Sequence, residues 1–392
     1  MKILHVTPAF APAYVYGGPI VSVTELCDHL AESGHDLRVL TTDANGRGKV
    51  LDGVRTDSEM RRASGARVRY CHRTLRSATA PRLVGELPGY VSWADVVHLT
   101  AVYNFTTIPT LVAARVLGRP VVWSPRGALQ RWPGVRRRIE KRAWELVCRM
   151  VASDRVILHF TSEEEARESW ERLPSCDHVV IPNGVSLPAE APHVAEPTTL
   201  RLLYLGRLDP KKGLENLLSA CQILRRASQT PWVLTIAGGG DPSYVARLRQ
   251  RIVERYLEDR VTMVGAVERD QRERLFSTSD VLVVPSHSEN FAMVIAEALA
   301  HALPVIASRG TPWKRLAEVG CGLWVENSPE GLAEAIEGMA RRDRRHMGVT
   351  GRAWMAREFS WSGIASRMLD VYQAIGGASG VRDESLMGAG TV

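Results

Sequence analysis

Residues 281–307 read VLVVPSHSENFAMVIAEALAHALPVIA. An unbroken apolar strand, Val281 to Val284, leads into Ser286–Ala298, which opens a helix, and a second strand follows at Pro304 to Ala307. Strands without polar alternation belong to sheets covered by helices on both faces, so the segment predicts an α/β domain with a doubly wound parallel sheet. In such a sheet ligands sit at the carboxyl ends of the strands, and a helix N-terminus there offers free amides to a phosphate. The amides of Phe291, Ala292 and Met293, with Asn290 before them, are the candidates. Glu289 precedes the helix and Glu297 lies about 12 Å along its axis at the helical rise per residue. A carboxylate accepts from adjacent hydroxyls, so one acid can hold a sugar ring and the other a ribose diol. An acid favouring the helix dipole plus an ordinary helical glutamate is the competing reading.

The same alternation extends both ways. Downstream of a Pro-bearing stretch (Pro188, Pro192, Pro197), strands are expected at Arg201–Leu205, Val233–Ala237 and Val261–Val264. Upstream, Lys2–Thr7 is a strand, Ile20 to Leu30 carries helical spacing between Pro19 and Gly34, and Leu37–Thr42 returns to a strand, which makes one βαβ unit. Further strands are expected at Val96–Leu99, Val121–Ser124, Val156–Phe160 and Val179–Ile181. With 392 residues the chain exceeds what one core usually supports. Two Rossmann-like domains facing across a cleft follow, residues 1–185 and 200–358, joined by a linker at 186–199. The small, polar sequence from Gly376 is expected to be a disordered tail.

A net charge of +7 suits nucleic acid, an anionic membrane surface or a phosphorylated substrate. Between Arg131 and Arg142 six basic residues face one acid, Glu140, ahead of an apolar-spaced stretch around Trp144 and Val147. This is either a solvated helix face or a peripheral membrane patch. Six dispersed cysteines without metal spacing point to a reducing, cytoplasmic setting. Met1 to Leu4 enters a strand directly, so no signal peptide is expected, and the longest apolar region, Val294–Ala307, is too short for a bilayer span.

Gly206-Arg207-Leu208-Asp209-Pro210-Lys211-Lys212-Gly213 follows the first strand of the second domain and puts cations beside the same crevice. Arg207 and Lys212 can neutralise a diphosphate or can be a solvated loop. Gly17-Gly18-Pro19 allows close backbone approach to a ligand, or forms a plain tight turn. Neither it nor Gly238-Gly239-Gly240 is a dinucleotide fingerprint. With no HxxxH pair and no DxD, a reaction without metal or other cofactor is the working expectation.

Together these motifs resemble the retaining, family-four glycosyltransferases of the GT-B fold. Glu289 to Glu297 is similar to that family's acid-x7-acid motif, Gly206-Arg207 with Lys211-Lys212-Gly213 to its diphosphate loop, and Tyr16-Gly17-Gly18 to its N-terminal glycine loop. Ile181-Pro182-Asn183-Gly184-Val185 resembles the end of the first domain. Phe359-Ser360-Trp361 resembles the start of a closing helix, 359–375, that crosses back to the first domain. The resemblance implies a metal-independent hexosyltransferase of bacterial surface-polysaccharide type. In it Glu289 meets the donor sugar, Glu297 the ribose, Arg207 and Lys212 the diphosphate, and Gly17 and Gly18 close over it. The segment Gly265–Val267 faces the base without a readable side-chain code, and a UDP-sugar ranks ahead of a GDP-sugar. The family commonly has a histidine near Trp123–Ala128, where this chain has Arg126. An arginine cannot act as a base, so Arg126 supplies charge or orientation there, or another group does. His98 is expected as a wall of the acceptor side. The acceptor is expected to be a glycan or a lipid-linked hydroxyl at the inner face of the membrane. A sugar-nucleotide epimerase or hydrolase, and a non-catalytic nucleotide-sugar sensor, remain open on the same scaffold.

Overall fold

In the computed structural model the described residues are 1–74, 79–130, 138–170, 172–173, 176–189, 199–228 and 230–377. The chain divides into Met1–Gly184 with the segment from Trp361 onward, and Val185–Ser360.

The first unit runs β1 (Lys2–Val6), α1 (Gly18–Glu32), β2 (Asp36–Thr42), β3 (Glu59–Arg61), β4 (Arg67–Cys71), α2 (Pro81–Trp93), β5 (Val96–Thr100), α3 (Thr107–Val116), β6 (Val121–Ser124), α4 (Arg138–Val151), β7 (Val156–Phe160), α5 (Glu163–Trp170) and β8 (Asp177–Val180). Its sheet has the order β3-β4-β2-β1-β5-β6-β7-β8. Among the described residues β3 is the only strand of this sheet that runs antiparallel, pairing Met60 with Val68 of β4. Every residue of β5 and β6 is buried, as expected of strands with helices on both faces. β4 escaped the sequence reading because Arg67 and Arg69 interrupt its apolar residues. Those arginines pair with Asp36 and Glu86, so the strand is closed by ion pairs rather than by a second apolar face.

The second unit contains β9 (Leu200–Leu205), α6 (Leu214–Ala227), β10 (Trp232–Ala237), α7 (Pro242–Glu254), β11 (Val261–Gly265), α8 (Arg269–Thr278), β12 (Val281–Val284), α9 (Met293–Ala300), β13 (Val305–Ser308), α10 (Arg315–Val319), β14 (Gly322–Val325), α11 (Pro329–Ala340) and α12 (Arg344–Glu358). All six strands are parallel in the order β11-β10-β9-β12-β13-β14. The chain builds outward from β9 to β11, then returns to the other side of β9 to lay down β12. The strand order therefore reverses between the neighbours β9 and β12, the point at which a crevice opens at the carboxyl edge of such a sheet.

The last helix, α13 (Trp361–Gly377), belongs to the first unit. Trp361, Ile364, Ala365, Met368, Tyr372 and Ile375 recur at helical spacing and pack in one apolar cluster with Ile20, Val23, Leu26 and Leu30 of α1. Burying each of the large aliphatic members contributes roughly 1.5–3 kcal/mol. The helix begins at Trp361, not Phe359, because Phe359 stays in the second unit: its ring stacks on Trp313 at 5.5 Å and meets Trp354 at 5.4 Å. Its carbonyl accepts the Val185 amide at 2.7 Å, so chain entry and exit of that unit are tied by one bond. Residues 190–198 of the expected linker, and the expected tail from residue 378, lie outside the described residues.

Gly184 has no room for a side chain: an added Cβ would lie 2.4 Å from Trp361 Cδ2. Gly184→Ala should therefore cost about 1–3 kcal/mol in urea unfolding, through displacement of the Trp361 ring. Gly85→Ala, in α2 with open space around the new methyl, should be neutral or stabilising. Equal effects of the two substitutions would contradict the packing described.

Candidate functional site

The loop leaving β9 is set by two close approaches of backbone. Gly213 has φ +67°, and a Cβ there would fall 1.9 Å from the Pro285 carbonyl at the exit of β12. A Cβ on Gly238 would fall 1.8 Å from the Gly206 carbonyl. Asp209 accepts from the Lys211 amide at 3.0 Å and starts the short 3-10 turn Pro210–Lys212. The His287 amide donates to the Lys211 carbonyl at 2.8 Å, so the β9 and β12 loops are joined through the backbone. As a result Lys212 Nζ sits 2.5 Å from Glu289 Oε1, and Ser286 Oγ donates to the same oxygen at 2.7 Å. The Lys212 and Glu289 side chains are 22% and 12% exposed, enough to meet a ligand and little enough for their charges to act strongly.

Glu289 is also fixed from behind, its amide donating to Gly310 O at 2.8 Å. The chain then enters α9 through Ala292 at φ +63°, a left-handed conformation that costs an L-residue about 1–2 kcal/mol. No side chain caps that helix, so its first amides are not satisfied by a side-chain acceptor. Phe291 is buried, its carbonyl accepting from Trp313 Nε1, which anchors the turn that aims these amides.

Glu297 sits within α9 and contacts the Arg272 guanidinium of α8. Burial pulls the Arg272 pKa down, so its charge is held in a poorly solvated place. Arg272 did not emerge from the sequence, because Arg269-Asp270-Gln271-Arg272-Glu273-Arg274 has the composition of a solvated helix face. A signal was available only in its position, one turn into the helix that follows Gly265. Gly265 ends β11 at φ +80°, its carbonyl accepting the Gly238 amide at 2.7 Å. Arg207 is exposed, and among the described residues it makes no ion pair; Tyr204 Oη donates to its carbonyl at 2.9 Å. The second unit thus brings Lys212 to Glu289 and leaves Arg207 apart from both acids.

In the first unit Gly17, at φ +79°, precedes α1, and Gly18 is its first residue. The Tyr16 hydroxyl, just before them, accepts the Gly46 amide at 2.9 Å. Arg126 is held at φ +54° and donates to Asn183 Oδ1 at 2.5 Å. The buried Glu165 holds this turn by accepting from the amides of Gly127 at 2.5 Å and Thr161 at 2.8 Å.

His98 requires a correction: it is fully buried and forms no wall of an acceptor site. It belongs to a hydrogen-bonded chain whose direction is dictated by its last acceptor. His159 Nε2, 2.8 Å from the Ile181 carbonyl, must donate, so its Nδ1 accepts from Ser124 Oγ at 2.7 Å. Ser124 then accepts from His98 Nε2 at 2.7 Å, and His98 Nδ1 accepts from the Tyr372 hydroxyl at 2.5 Å. His5 stacks on His98 with ring centroids 4.4 Å apart. Burial, and for His159 and His5 the nearby Arg126, lower the pKa of both to about 3, and His98 is also driven well down by burial. These three rings are neutral structural groups.

The family described as Glycosyltransferase Family 4 matches residues 16–188, and that described as Glycosyl transferases group 1 matches residues 189–354. The chain is 28% identical over 388 residues to a GDP-mannose:cellobiosyl-diphosphopolyprenol alpha-mannosyltransferase of Xanthomonas campestris, covering 95% of this chain and 97% of that protein. Its fold is similar to sucrose-phosphate synthase from Thermosynechococcus elongatus, with TM-score 0.73, 21% identity, and 97% and 100% of the two chains covered. It is also similar to Anabaena HepE in complex with UDP-glucose, with TM-score 0.69, 18% identity, and 95% and 99% covered.

The histidine chain makes stability depend on pH. An unfolded histidine binds a proton below about pH 6.5, whereas these three stay neutral when folded. Their contribution is therefore complete above that pH and falls as pH drops, by about 1.4 kcal/mol per pH unit for each ring. Urea midpoints measured from pH 7 to pH 5 should fall steeply. A flat profile would contradict the neutral arrangement.

Proposed function

The chain belongs to the family-four glycosyltransferases of the GT-B fold, and from that premise we propose that it moves a hexose, with retention, from a nucleotide-diphosphate donor to a lipid-linked glycan. The observation that carries the reading is the Lys212–Glu289 contact at the crevice of the second unit, next to the uncapped start of α9. A diphosphate leaving group gains charge as the bond from its oxygen to the sugar C1 breaks. Lys212, Arg207 and the α9 amides are the groups that stabilise it, with no metal required. In the front-face displacement proposed here, the acceptor oxygen bonds to C1 on the side the phosphate leaves, and its proton passes to the departing phosphate oxygen. Electrostatic stabilisation of that oxygen is then the principal catalytic effect. Glu289 meets the sugar hydroxyls and Glu297, steadied by Arg272, the ribose diol.

The sequence reading placed a UDP-sugar first. The relative that aligns over nearly its whole length is named for GDP-mannose, whereas the UDP-glucose complex is alike in fold alone. We therefore put GDP-mannose first and a diphosphopolyprenol-linked glycan as acceptor. Such an acceptor is consistent with a cytoplasmic protein working at the inner membrane face. Among the described residues no helix is long and apolar enough to cross a bilayer.

The test compares GDP-mannose, UDP-glucose and dTDP-glucose by thermal shift and by nucleotide release, with and without a diphosphopolyprenol-linked oligosaccharide and with EDTA present. GDP-mannose should shift melting, and release should require acceptor. Lys212→Ala should lower kcat/KM by roughly 10²–10³. Absence of a response to every donor would sink the reading, and acceptor-independent release would make the protein a hydrolase.

A further inference from the structure

Helix α8 carries Arg272, yet little apolar surface holds it: among the described residues Phe276 is its one buried member. Two side chains of α8 meet α9 instead, and they are neighbours in the chain. Arg272 donates to Glu297 Oε2, and Glu273 Oε2 lies 2.5 Å from His301 Nε2. Glu297 and His301, the residue that ends α9, are four positions apart and so face α8 on the same side. The His301 ring is held from two further directions. Its Nδ1 lies 2.7 Å from the Glu297 carbonyl, and its face stacks on Phe276 with ring centroids 4.7 Å apart. The Arg272 guanidinium lies 5.8 Å from the centre of the same Phe276 ring. Arg272, Glu273, Phe276, Glu297 and His301 thus close into one cluster, in which His301 is 7% exposed. The far side of α9 is settled separately by α12, where Gly351 leaves a Cβ no room against Leu299 and Arg352 donates to the Ala300 carbonyl at 2.6 Å. The Glu273–His301 contact therefore bears on the seat of α8.

We propose that Glu273 and His301 are positioning residues for ribose recognition: without touching the nucleotide, they seat α8 so that Arg272 engages Glu297 Oε2 and leaves Oε1 to the ribose hydroxyls. Among the described residues Glu297 Oε1 has no hydrogen-bond partner. A carboxylate fixed by a cation on one oxygen and open on the other accepts hydroxyls from one direction, and so distinguishes a ribose from a deoxysugar. If α8 shifted, Arg272 would lose its carboxylate while remaining poorly solvated, and Glu297 would be free to turn away. An ordinary surface ion pair between Glu273 and His301 would contribute little. The stacking on Phe276 and the second contact to the Glu297 carbonyl set this one apart, because they tie the ring to both helices at once. The inference rests on the reading of Glu297 as the ribose acid and adds which residues aim it.

Isothermal titration of the full chain with GDP and UDP, and with the 2′,3′-dideoxy form of each, isolates the ribose contact, since each pair differs only in the two hydroxyls. The nucleotide that binds should do so at least about ten-fold more tightly than its dideoxy form, the loss expected when hydrogen bonds to a charged group are removed. Glu297→Ala should abolish that preference. His301→Ala and Glu273→Ala should each reduce it below about three-fold, by weakening the ribonucleotide and leaving the dideoxy form unchanged. Glu273→Gln keeps an oxygen for the ring, and its amide can also donate, so it should restore most of the preference. In turnover both alanine variants should raise the donor KM and leave kcat within about two-fold, as when binding common to ground and transition states is lost. Unchanged binding of the dideoxy form shows that a variant is folded, and Glu273→Ala, which removes a half-exposed side chain, carries the test should His301→Ala not fold. A preference retained in Glu273→Ala but lost in Glu297→Ala overturns the positioning role and leaves the ribose reading standing. So does an equal loss for both forms of the nucleotide. Wild type that binds neither nucleotide, shows no preference, or keeps it in Glu297→Ala overturns the ribose reading and the positioning role with it.

Discussion

A lysine from the loop after β9 reaches a glutamate from the loop after β12, and most of the second unit's architecture bears on keeping those loops together. The topology makes them neighbours, since β9 and β12 are adjacent although three strands apart in the chain. The glycines then allow the approach: any side chain on Gly213 would strike the Pro285 carbonyl, and any on Gly310 would strike the carbonyls of Ser286 and His287. The pair is partly buried, so neither charge is fully repaid by water, and each needs the other or a ligand. A bound diphosphate would compete for Lys212 and leave Glu289 to accept from hydroxyls, which is the exchange a nucleotide-sugar site requires.

The first unit solves a different problem, that of seating a remote C-terminal helix on a sheet completed much earlier in the chain. Apolar burial supplies most of the attraction, through Trp361, Met368 and Ile375 against α1. The hydrogen-bonded chain from Tyr372 through His98, Ser124 and His159 to Ile181 supplies direction, since each member has one satisfactory orientation. A polar chain of this kind, fully buried, discriminates strongly against a shifted register because a slip would strand its donors and acceptors. Arg126 lies beside it, held by Asn183 at the end of the same unit.

The reading of Val281–Ala307 succeeded because its signals are local. An apolar strand, a loop with an acid and a helix with a second acid are all legible from composition and spacing. His98 was misplaced for the same reason: a histidine at a strand end looks alike whether it faces solvent or the sheet interior, and its partner Tyr372 lies 274 residues away. Arg272 was missed because its partner is in the next helix, and nothing nearby in the sequence distinguishes it from Arg269 or Arg274. The basic run Arg131–Arg142 was visible, although residues 131–137 lie outside the described residues, and which residues of α4 face outward depended on what covers its other side.

The amino-acid order by itself determined the alternation of strand and helix, the parallel sheets and the identity of Glu289, Glu297, Arg207 and Lys212 as candidates, because period, turn chemistry and residue type act over a few positions. Only the tertiary structure decided which cation meets which acid, which histidines are interior, and which residues seat α13 on the first unit. Those outcomes depend on contacts between residues distant in the chain, and such contacts are selected by packing and by the pairing of buried polar groups.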